Sequence, residues 1–468
     1  MILALLSLAH AGPRDDLVRP DILPEWATES GEAALPVDPW WRSFGDPGFA
    51  RLMDAAVTSN RDLRASVARA SSTNSASKQT FATVLPTASF DVSGTLAPTA
   101  SRGFQFGGFG SIPGQEPPKT YWTGSAAFTA GWEPDVFLRN TESIRASRHD
   151  AQAAEGDRDA AILAFATRVA EGYFDVVAAR SRLEIVKRQA TATEALLEIV
   201  ELRYQGGDAT AVDLLQQRQQ AASVRAQVPL ATVQVTSLEQ QLAVTLSLPP
   251  ATFVEGVAPA LPELPPVPDA GIPADLILNR PDLRAAESRL DASTARKNNA
   301  VRQLLPTLRL QGQAGWQFFN ETELKSQTFW TAGATVSVPL FQGGRTHHGI
   351  SSARFAETAS VHAYTQLAAN AVLEVENALV LEQQRVVHLQ ATTDQELAAR
   401  QAWEEAREQY LAGVGNYLAL LTAQTAHQSA ELAQLDSRRQ LISARIQLYD
   451  ALGGSWPASI AQVLGESR

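Results

Sequence analysis

Four stretches of the chain alternate apolar and polar residues with the period of two that is typical of a β-strand. They cover residues 87–95, 121–132, 307–318 and 328–338. In the fourth stretch Trp330, Val336 and Val338 fall on one side, whereas Thr331 and Thr335 fall on the other. The pattern therefore predicts four strands, each with one apolar and one polar face.

Very long helices follow the strands. After the fourth stretch Pro339 removes a ladder donor, and Gly343 and Gly344 give the backbone freedom to turn. The next residues lack proline, which predicts a helix of about 67 residues and a length of roughly 100 Å. A second helix of similar length is predicted from about Arg139 to Tyr204.

One face of the earlier long helix carries a heptad-type stripe that a threonine interrupts. Its positions, spaced three and four apart, are Leu183, Val186, Ala190, Thr193, Leu197, Val200 and Tyr204. Ordinary helix packing produces shorter stripes of this kind, whereas persistence over three heptads favours coiled-coil geometry.

The second half of the chain repeats the first. Residues 60–65 match residues 280–285 at an offset of 220 (282 − 62), and a Leu-Pro pair precedes the next strand in both halves. Farther along, Tyr204 and Gly207 match Tyr410 and Gly413 at an offset of 206 (410 − 204). Landmarks in the same order on both sides of a proline-rich linker indicate an internal duplication.

Each half is predicted to run helix, strand, loop, strand, long helix, turn and helix, and the first helix is expected to extend from the cap Asp46 to about Val84. The short apolar start ends in Ala-His-Ala, a small-x-small pattern that predicts a truncated export signal. The resulting domain division is 1–11 export signal, 12–45 extended N-terminal segment, 46–250 first repeat, 251–273 proline-rich linker, 274–453 second repeat and 454–468 C-terminal tail.

Composition narrows the functional classes. The net charge of −11 argues against a nucleic-acid partner, which requires a basic face. The chain contains no cysteine, which excludes disulfides, thiolate metal sites and thiol catalysis. With 45% hydrophobic and 19% charged residues, it is able to bury a core.

A search for catalytic and binding chemistry predicts neither an enzyme nor a cofactor. His347 and His348 are adjacent and therefore point apart on a helix, so a solvated helix start is favoured over a metal site. The glycine-rich stretch 103–114 lacks the Lys-Ser/Thr ending of a phosphate loop. No serine lies in a Gly-x-Ser-x-Gly elbow.

Strands of about ten residues have the length of bilayer-crossing β-strands. Four strands cannot close a barrel, because the smallest single-chain barrels need eight, so a membrane location would require an oligomer. The alternative is a soluble, half-exposed sheet packed on helices, and the strand pattern alone leaves the two readings about even. The long helices favour a tube over a globule.

Several motifs, taken together, resemble the TolC family of outer-membrane efflux channels, specifically the nodulation-type outer-membrane factors of resistance–nodulation–division (RND) pumps. They are Trp40-Trp41-x-x-Phe44-x-Asp46-Pro47, the Asp-Leu-Arg-Ala pair, 132–137 (WEPDVF), 339–345 (PLFQGGR) and the two Tyr-x-x-Gly helix ends. The resemblance implies a homotrimer with a twelve-stranded β-barrel in outer-membrane lipid and a coiled-coil α-helical barrel extending through the periplasm. It also implies a periplasmic membrane-fusion adaptor and an inner-membrane RND-type pump as partners.

The same resemblance assigns the candidate functional residues, none of which is catalytic or binds a cofactor or metal. They are the periplasmic entrance or gate Asp208, Asp213, Leu418, Leu421 and Thr422, the adaptor-contacting tips Tyr204, Gly207, Tyr410 and Gly413, and the strand-to-helix turn Pro339, Gly343 and Gly344. From spacing alone, an ordinary αα-hairpin turn explains each Tyr-x-x-Gly equally well.

Two features depart from the resembled family. The chain lacks the lipid-bearing cysteine that commonly follows the signal, and Thr422 occupies a position where an acidic residue is frequent. The leading hypothesis is a passive export duct for small molecules, driven by an RND-type pump. The alternatives are a duct for type I polypeptide secretion, or a periplasmic coiled-coil scaffold without a pore.

Overall fold

A computed structural model describes residues 39–98, 120–250, 252, 256–264, 266–270, 280–320, 324–453, 457 and 460. The expected export signal at 1–11, most of the N-terminal segment and the glycine-rich loop before the second strand lie outside the described residues. The same holds for parts of the proline-rich linker and for all but two residues of the C-terminal tail.

The described elements follow one order in both halves of the chain. The first half contains a 3-10 helix Trp40–Phe44, α1 Pro47–Ser59, α2 Arg61–Ala82, β1 Thr87–Pro98, β2 Thr120–Trp132, α3 Arg139–Gly206 and α4 Ala211–Thr245. The second half contains α5 Pro281–Arg302, β3 Thr307–Asn320, β4 Leu324–Ser337, α6 Arg345–Leu411 and α7 Tyr417–Leu452. The predicted fold class, long helices with four strands in a duplicated chain, is confirmed.

No described helix combines the length and the apolar character that crossing a lipid bilayer requires.

The first predicted helix is divided in two. Asp46 caps α1 as expected, since its carboxylate accepts hydrogen bonds from the backbone N–H groups of Gly48 at 2.8 Å and Phe49 at 3.0 Å. Asn60 is extended, with φ −65° and ψ 132°, and its side-chain oxygen accepts the N–H groups of Asp62 and Leu63. Asn60 therefore ends α1 and caps α2, which the sequence analysis did not predict.

The chain divides into two compact units. Among the described residues, the first unit lies within Ser72–Gln152 and Ser288–His362 and contains the sheet and the beginnings of α3 and α6. The second unit comprises the remainder, including the rest of α3 and α6 with α4, α7 and the turns between them.

The sheet of the first unit is antiparallel with the strand order β1-β2-β3-β4. The pairs Phe90–Phe128, Ala126–Trp316 and Ala314–Trp330 place every even-numbered strand residue on one face. We call this the apolar face and the odd-numbered side the polar face. The large exposed side chains of the apolar face are Phe90, Val92, Leu96, Trp122, Phe128, Trp132, Trp316, Leu324, Trp330 and Val336.

An aromatic cluster forms part of the core of the second unit and explains the Trp-Trp-x-x-Phe motif. Trp40 stacks on Tyr449 of α7 with ring centroids 5.4 Å apart, and Phe44 lies 5.4 Å from Phe174 of α3. Tyr173 donates a hydrogen bond of 2.7 Å from its hydroxyl to the Asp46 carboxylate. The motif thus attaches the segment before α1 to α3 and α7.

The buried stripe of α3 differs from the predicted heptad stripe. The buried positions are Ile185, Val186, Gln189, Thr193, Leu196 and Val200. Of the expected positions, Leu183, Ala190 and Leu197 are only half-buried and Tyr204 is exposed. Small and medium apolar residues occupy both sides of the helix here, so the sequence pattern did not distinguish two neighbouring stripes.

Candidate functional site: the two helix tips

Both helical hairpins of the second unit turn through the same backbone motif. Gly207 and Gly413 have φ values of +84° and +78°, in the left-handed region that favours glycine. The N–H of Gly207 donates to the carbonyl of Tyr204 at 3.1 Å, and the N–H of Gly413 donates to that of Tyr410 at 3.1 Å. Each following N–H returns to a carbonyl five residues earlier, so both helices end in a Schellman motif.

The helices that leave the two turns are capped at equivalent positions by different side chains. Thr210 and Asp213 form a reciprocal capping box at the start of α4, with the Thr210 N–H donating to the Asp213 carboxylate at 2.9 Å. Asn416 caps α7 by accepting the Ala419 N–H at 2.7 Å. Asp213 is therefore engaged in holding the first turn. We call residues 203–213 the first tip and residues 409–422 the second tip.

Arg203 connects the first tip to the second. Its Nη1 donates a hydrogen bond to the backbone carbonyl of Tyr410, and its guanidinium carbon lies 4.5 Å from the centroid of the Tyr410 ring. A guanidinium over an aromatic face is an attractive cation–π arrangement. The sequence analysis missed Arg203, although a basic side chain in the last turn of a helix is a recognisable signal. Its counterpart in the repeat is Gln409, which carries no charge.

An apolar cluster lies beneath this contact and includes Leu196, Val200, Leu214, Tyr410, Tyr417 and Leu420. The rings of Tyr410 and Tyr417 are 6.3 Å apart in an edge arrangement. Burial raises the pKa of both hydroxyls above the ordinary value, and the charge of Asp213 acts in the same direction. The equivalent Tyr204 is 43% exposed, whereas Tyr410 is 4% exposed.

The remaining candidate entrance residues lie at or near the surface of the isolated chain. Asp208 and Thr422 are exposed, and Leu418 is 65% exposed. The Thr422 hydroxyl donates to the Leu418 carbonyl at 2.8 Å, one helical turn earlier. Leu421 is half-buried and packs against the apolar cluster. The second tip therefore presents Leu418 and Thr422 outward and Leu421 inward.

The candidate strand-to-helix turn belongs to the first unit. Gly343 and Gly344 have φ values of +59° and +86°, so both adopt the left-handed conformation in the connection from β4 to α6. Pro339 follows the end of β4, and the adjacent Leu340 and Phe341 are about nine-tenths exposed. An apolar pair this exposed in the isolated chain is typical of a surface that a partner covers.

The described residues contain no group of three histidine, cysteine, aspartate or glutamate side chains arranged to hold a metal ion. The rings of His347 and His348 lie 5.4 Å apart in an edge arrangement.

Comparison with known proteins gives a consistent result. The family described as "Outer membrane efflux protein" matches residues 52–247 and 272–454. The chain is 28% identical to the pyoverdine export outer membrane protein OpmQ of Pseudomonas putida over 457 residues, which cover 97% of this chain and 96% of that protein. It is 27% identical to nodulation protein T of Rhizobium leguminosarum bv. viciae, with coverage of 97% and 91%.

The fold agrees with a solved structure of the outer-membrane channel OprN. The TM-score is 0.82 at 24% identity, and the alignment covers 94% of this chain and all of that one. Both family-matched segments fall in the duplicated halves, and the match includes the two helical hairpins and the four strands. The chain therefore belongs to the outer membrane efflux protein family, a family of outer-membrane channels rather than of enzymes.

Proposed function

We propose that three copies of the chain form a passive outer-membrane duct that exports small molecules in a tripartite efflux system. The observation that carries the proposal is the sheet of the first unit, whose apolar face is exposed across all four strands. In this scheme a periplasmic adaptor contacts the helix tips, and an inner-membrane pump of the RND type supplies the energy.

The sheet has the properties of one third of a membrane barrel. Its strands are 12 to 14 residues long, which suffices for a tilted bilayer crossing. Among the residues that the structure describes, β1 and β4 each pair on one side only, so two edges remain open. Open edges are not tolerated in lipid, and three sheets of four strands close them in a barrel with an even number of strands.

The polar face has the chemistry of a water-filled lumen. The hydroxyls of Ser93 and Ser125 lie 2.9 Å apart across β1 and β2, and Arg309 is 68% exposed beside Glu133 at 3.5 Å. Such side chains interact favourably with water and unfavourably with acyl chains. Because one face of the sheet is apolar and the other is polar, the sheet supports a barrel with lipid outside and water inside.

The helix tips suit an entrance that contacts another protein. Large apolar side chains are exposed on both tips or immediately beside them, and they are Leu202, Val212, Leu215, Leu411, Val414 and Leu418. Apolar groups of this size concentrated at helix ends favour a protein contact. We assign contact with the adaptor to the surface around Tyr204, Gly207 and Gly413, with the buried Tyr410 supporting that surface from beneath Arg203. The gate is assigned to Asp208, Asp213, Leu418, Leu421 and Thr422.

The class of substrate is inferred from the relatives named above, one of which exports pyoverdine, a small molecule. Polypeptide secretion is the competing assignment, and it would use the same duct. The two assignments differ in the partner they require, because small-molecule efflux requires an RND-type pump and its adaptor. Purification of the tagged chain after cross-linking in cells, followed by identification of bound inner-membrane proteins, distinguishes them.

Two arginine substitutions, one on each face of the sheet, test the barrel directly. Val92 on the apolar face is 71% exposed and pairs with Ala126, whereas its neighbour Ser93 faces the opposite side and pairs with Ser125. Arginine on a lipid-facing position near the bilayer centre costs about 2–4 kcal/mol, but a lumen position tolerates it. Val92→Arg is therefore expected to reduce the amount of trimer in the outer membrane, and Ser93→Arg is expected to leave it unchanged.

The soluble scaffold makes the opposite prediction. In water Val92→Arg would improve solubility by removing an exposed apolar group, and both variants would remain in the soluble periplasmic fraction. Equal recovery of the two variants outside the membrane would therefore contradict the proposed duct.

A further inference from the structure

Thr193, the residue that interrupts the heptad stripe of α3, is fully buried and uses all of its hydrogen-bonding capacity. Its hydroxyl donates to the Gln189 carbonyl at 2.7 Å and accepts from the Nε2 atoms of Gln424 and Gln428 of α7, each at 3.0 Å. A threonine hydroxyl has one donor and two acceptor sites, so these three bonds saturate it.

The same residue also binds the third helix of the region. Gln217 of α4 is fully buried, and its Nε2 donates to the Thr193 carbonyl at 3.1 Å. The Oε1 atom of Gln217 accepts a hydrogen bond of 3.0 Å from the hydroxyl of Tyr417 of the second tip. A single position on α3 therefore connects α4 and α7, and the network reaches the second tip.

Other polar contacts also join α3 and α7, among them the hydrogen bond from Gln189 to the Gln428 carbonyl at 3.1 Å and the ion pair of Arg439 with Asp175. The apolar contacts of α7 near Thr193 fix its axial position less well than these buried and half-buried polar contacts do.

Leu420 precedes Gln424 by one turn, and Leu432 follows Gln428 by one turn. If α7 moved by one turn, about 5.4 Å, a leucine would face Thr193, and either the buried Gln424 or the half-buried Gln428 would lose its acceptor. Leucine against leucine tolerates such a displacement, whereas a buried polar side chain fixes the register of a coiled coil.

We propose that Thr193 is a positioning residue that sets the register of the α6–α7 hairpin against the α3–α4 hairpin. This register also determines the axial position of Leu418 and Thr422 relative to the α3–α4 hairpin, since Leu418 directly follows Tyr417 on α7. The register assignment stands on the network itself, and only its consequence for the entrance rests on the proposed function.

The absence of native cysteine allows the register to be measured by thiol cross-linking in the full chain. Arg182 of α3 forms an ion pair with Asp436 of α7, with an N–O distance of 3.1 Å between the ends of the side chains, so cysteines at these two positions, joined by a short bis-thiol reagent rather than by a direct disulfide, report the resting register. Cysteine at Arg182 combined with cysteine at Leu432 or at Gln440 reports a displacement by one turn in either direction.

The test compares Thr193→Val with Thr191→Val. Valine keeps the shape of threonine and removes the hydroxyl. Thr191 lies on the same helix and is exposed, and its hydroxyl bonds the Lys187 carbonyl one turn earlier, which makes it a matched control. Cross-linked peptides are identified by mass spectrometry in trimers kept in the outer membrane, and channel conductance is recorded in parallel.

We expect Thr193→Val to raise the yield of a displaced pair relative to the resting pair by about tenfold, the factor for one or two lost hydrogen bonds. Thr191→Val is expected to keep the wild-type ratio, and Thr193→Ser, which retains the hydroxyl, is expected to restore it. An unchanged ratio in Thr193→Val, even with a lower melting temperature, would overturn the proposal.

If Thr193→Val fails to assemble, Gln424→Leu with Gln428→Leu decides the question. This double variant removes both amides that the hydroxyl accepts from, and it also removes the buried Oε1 atom of Gln424, which has no hydrogen-bond partner among the described residues. A displaced register is again expected, and the resting register would contradict the proposal. If the cross-link ratio changes as expected but neither the wild type nor any variant conducts, the register proposal stands and the proposed duct is rejected.

Discussion

The two helix tips have the same backbone and different surroundings. Gly207 and Gly413 end their helices in the same Schellman motif. Tyr204 nevertheless stands in solvent, whereas Tyr410 is buried beneath Arg203. After duplication, the turn geometry has stayed the same while the side chains have taken different positions. The first tip supplies the cation and the second supplies the ring and the carbonyl that receive it, so the two halves are complementary rather than equivalent.

Removal of Arg203 is the strongest way to break this asymmetry. Arg203→Met keeps much of the side-chain volume but removes the hydrogen bond to the Tyr410 carbonyl and the cation–π contact, at a cost of about 2 kcal/mol. We expect the melting temperature of the detergent-extracted protein to fall and the channel conductance to increase, because the second tip is released from the first.

Arg218→Met is the control for that experiment. Arg218 lies on α4 of the same hairpin and pairs with Glu201 at 2.9 Å, but both side chains are substantially exposed. Exposed ion pairs contribute little to stability, so conductance and melting temperature should remain close to those of the wild type. Equal effects of the two substitutions would show that Arg203 does not hold the tips together.

Substitution of the two turn glycines, Gly207 and Gly413, compares the tips directly and is expected to have a smaller effect. Alanine in the left-handed region costs about 1–2 kcal/mol, and both positions should show this loss of stability. A Cβ at Gly207 would meet open space, whereas one at Gly413 would lie 3.5 Å from Nη2 of Arg203. That distance is an ordinary van der Waals contact, so we expect Gly207→Ala and Gly413→Ala to lower stability by similar amounts and to leave conductance unchanged. A conductance change in Gly413→Ala alone would show that the Arg203 contact does not accommodate an added methyl group.

Alkaline pH is expected to affect the second tip through its buried tyrosines. Burial raises the pKa of Tyr417 above its ordinary value near 10, because the neutral phenol is favoured in the folded state. This stabilisation is complete below pH 10 and is lost as the pH rises above 10 towards the folded-state pKa.

The melting temperature of Tyr417→Phe should therefore fall less steeply above about pH 10 than that of the wild type. The pKa values of Tyr410 and Tyr173 are raised as well, but both tyrosines are present in the two proteins, so the difference between the two curves reports Tyr417. Tyr204→Phe, which changes an exposed ring, should follow the wild-type curve. Parallel curves for Tyr417→Phe and the wild type would contradict the expected burial.

The smallest expected effect concerns one hydroxyl. The Tyr410 hydroxyl is buried without a hydrogen-bond partner among the described residues, so Tyr410→Phe should be neutral or raise stability by about 1 kcal/mol. Tyr204→Phe should change stability by less, since its hydroxyl is accessible to water. A clear loss of stability in Tyr410→Phe, measured by thermal melting, would contradict this and show that water or a neighbouring copy supplies a partner.

The sequence predicted the strands well because a period of two is unambiguous. The alternation of Trp330, Ala332 and Ala334 with Thr331 and Gly333 assigned each side chain to a face, and the register of the sheet agrees with that assignment. The duplication was equally accessible, since matching landmarks such as Tyr204 and Tyr410 need only a constant offset.

The contacts between helices could not be predicted from the sequence in the same way. Arg203 was missed because its partner lies 207 positions away, and nothing in local spacing connects the two. Gln189 and Leu196, rather than Ala190 and Leu197, form the buried stripe of α3, because alanine-rich helices present similar apolar character on adjacent faces. The end of α1 at Asn60 depends on a side-chain cap that competes with a continuous helix, and propensity alone does not decide between them.

The most direct test of the shared barrel is the native mass of the protein extracted with mild detergent from separated outer membranes. The proposed duct predicts a protein component of about 151 kDa (three times 50.3 kDa) in that fraction. A species of 50.3 kDa in the soluble periplasmic fraction would contradict it, because an isolated chain cannot close the edges of β1 and β4 in lipid.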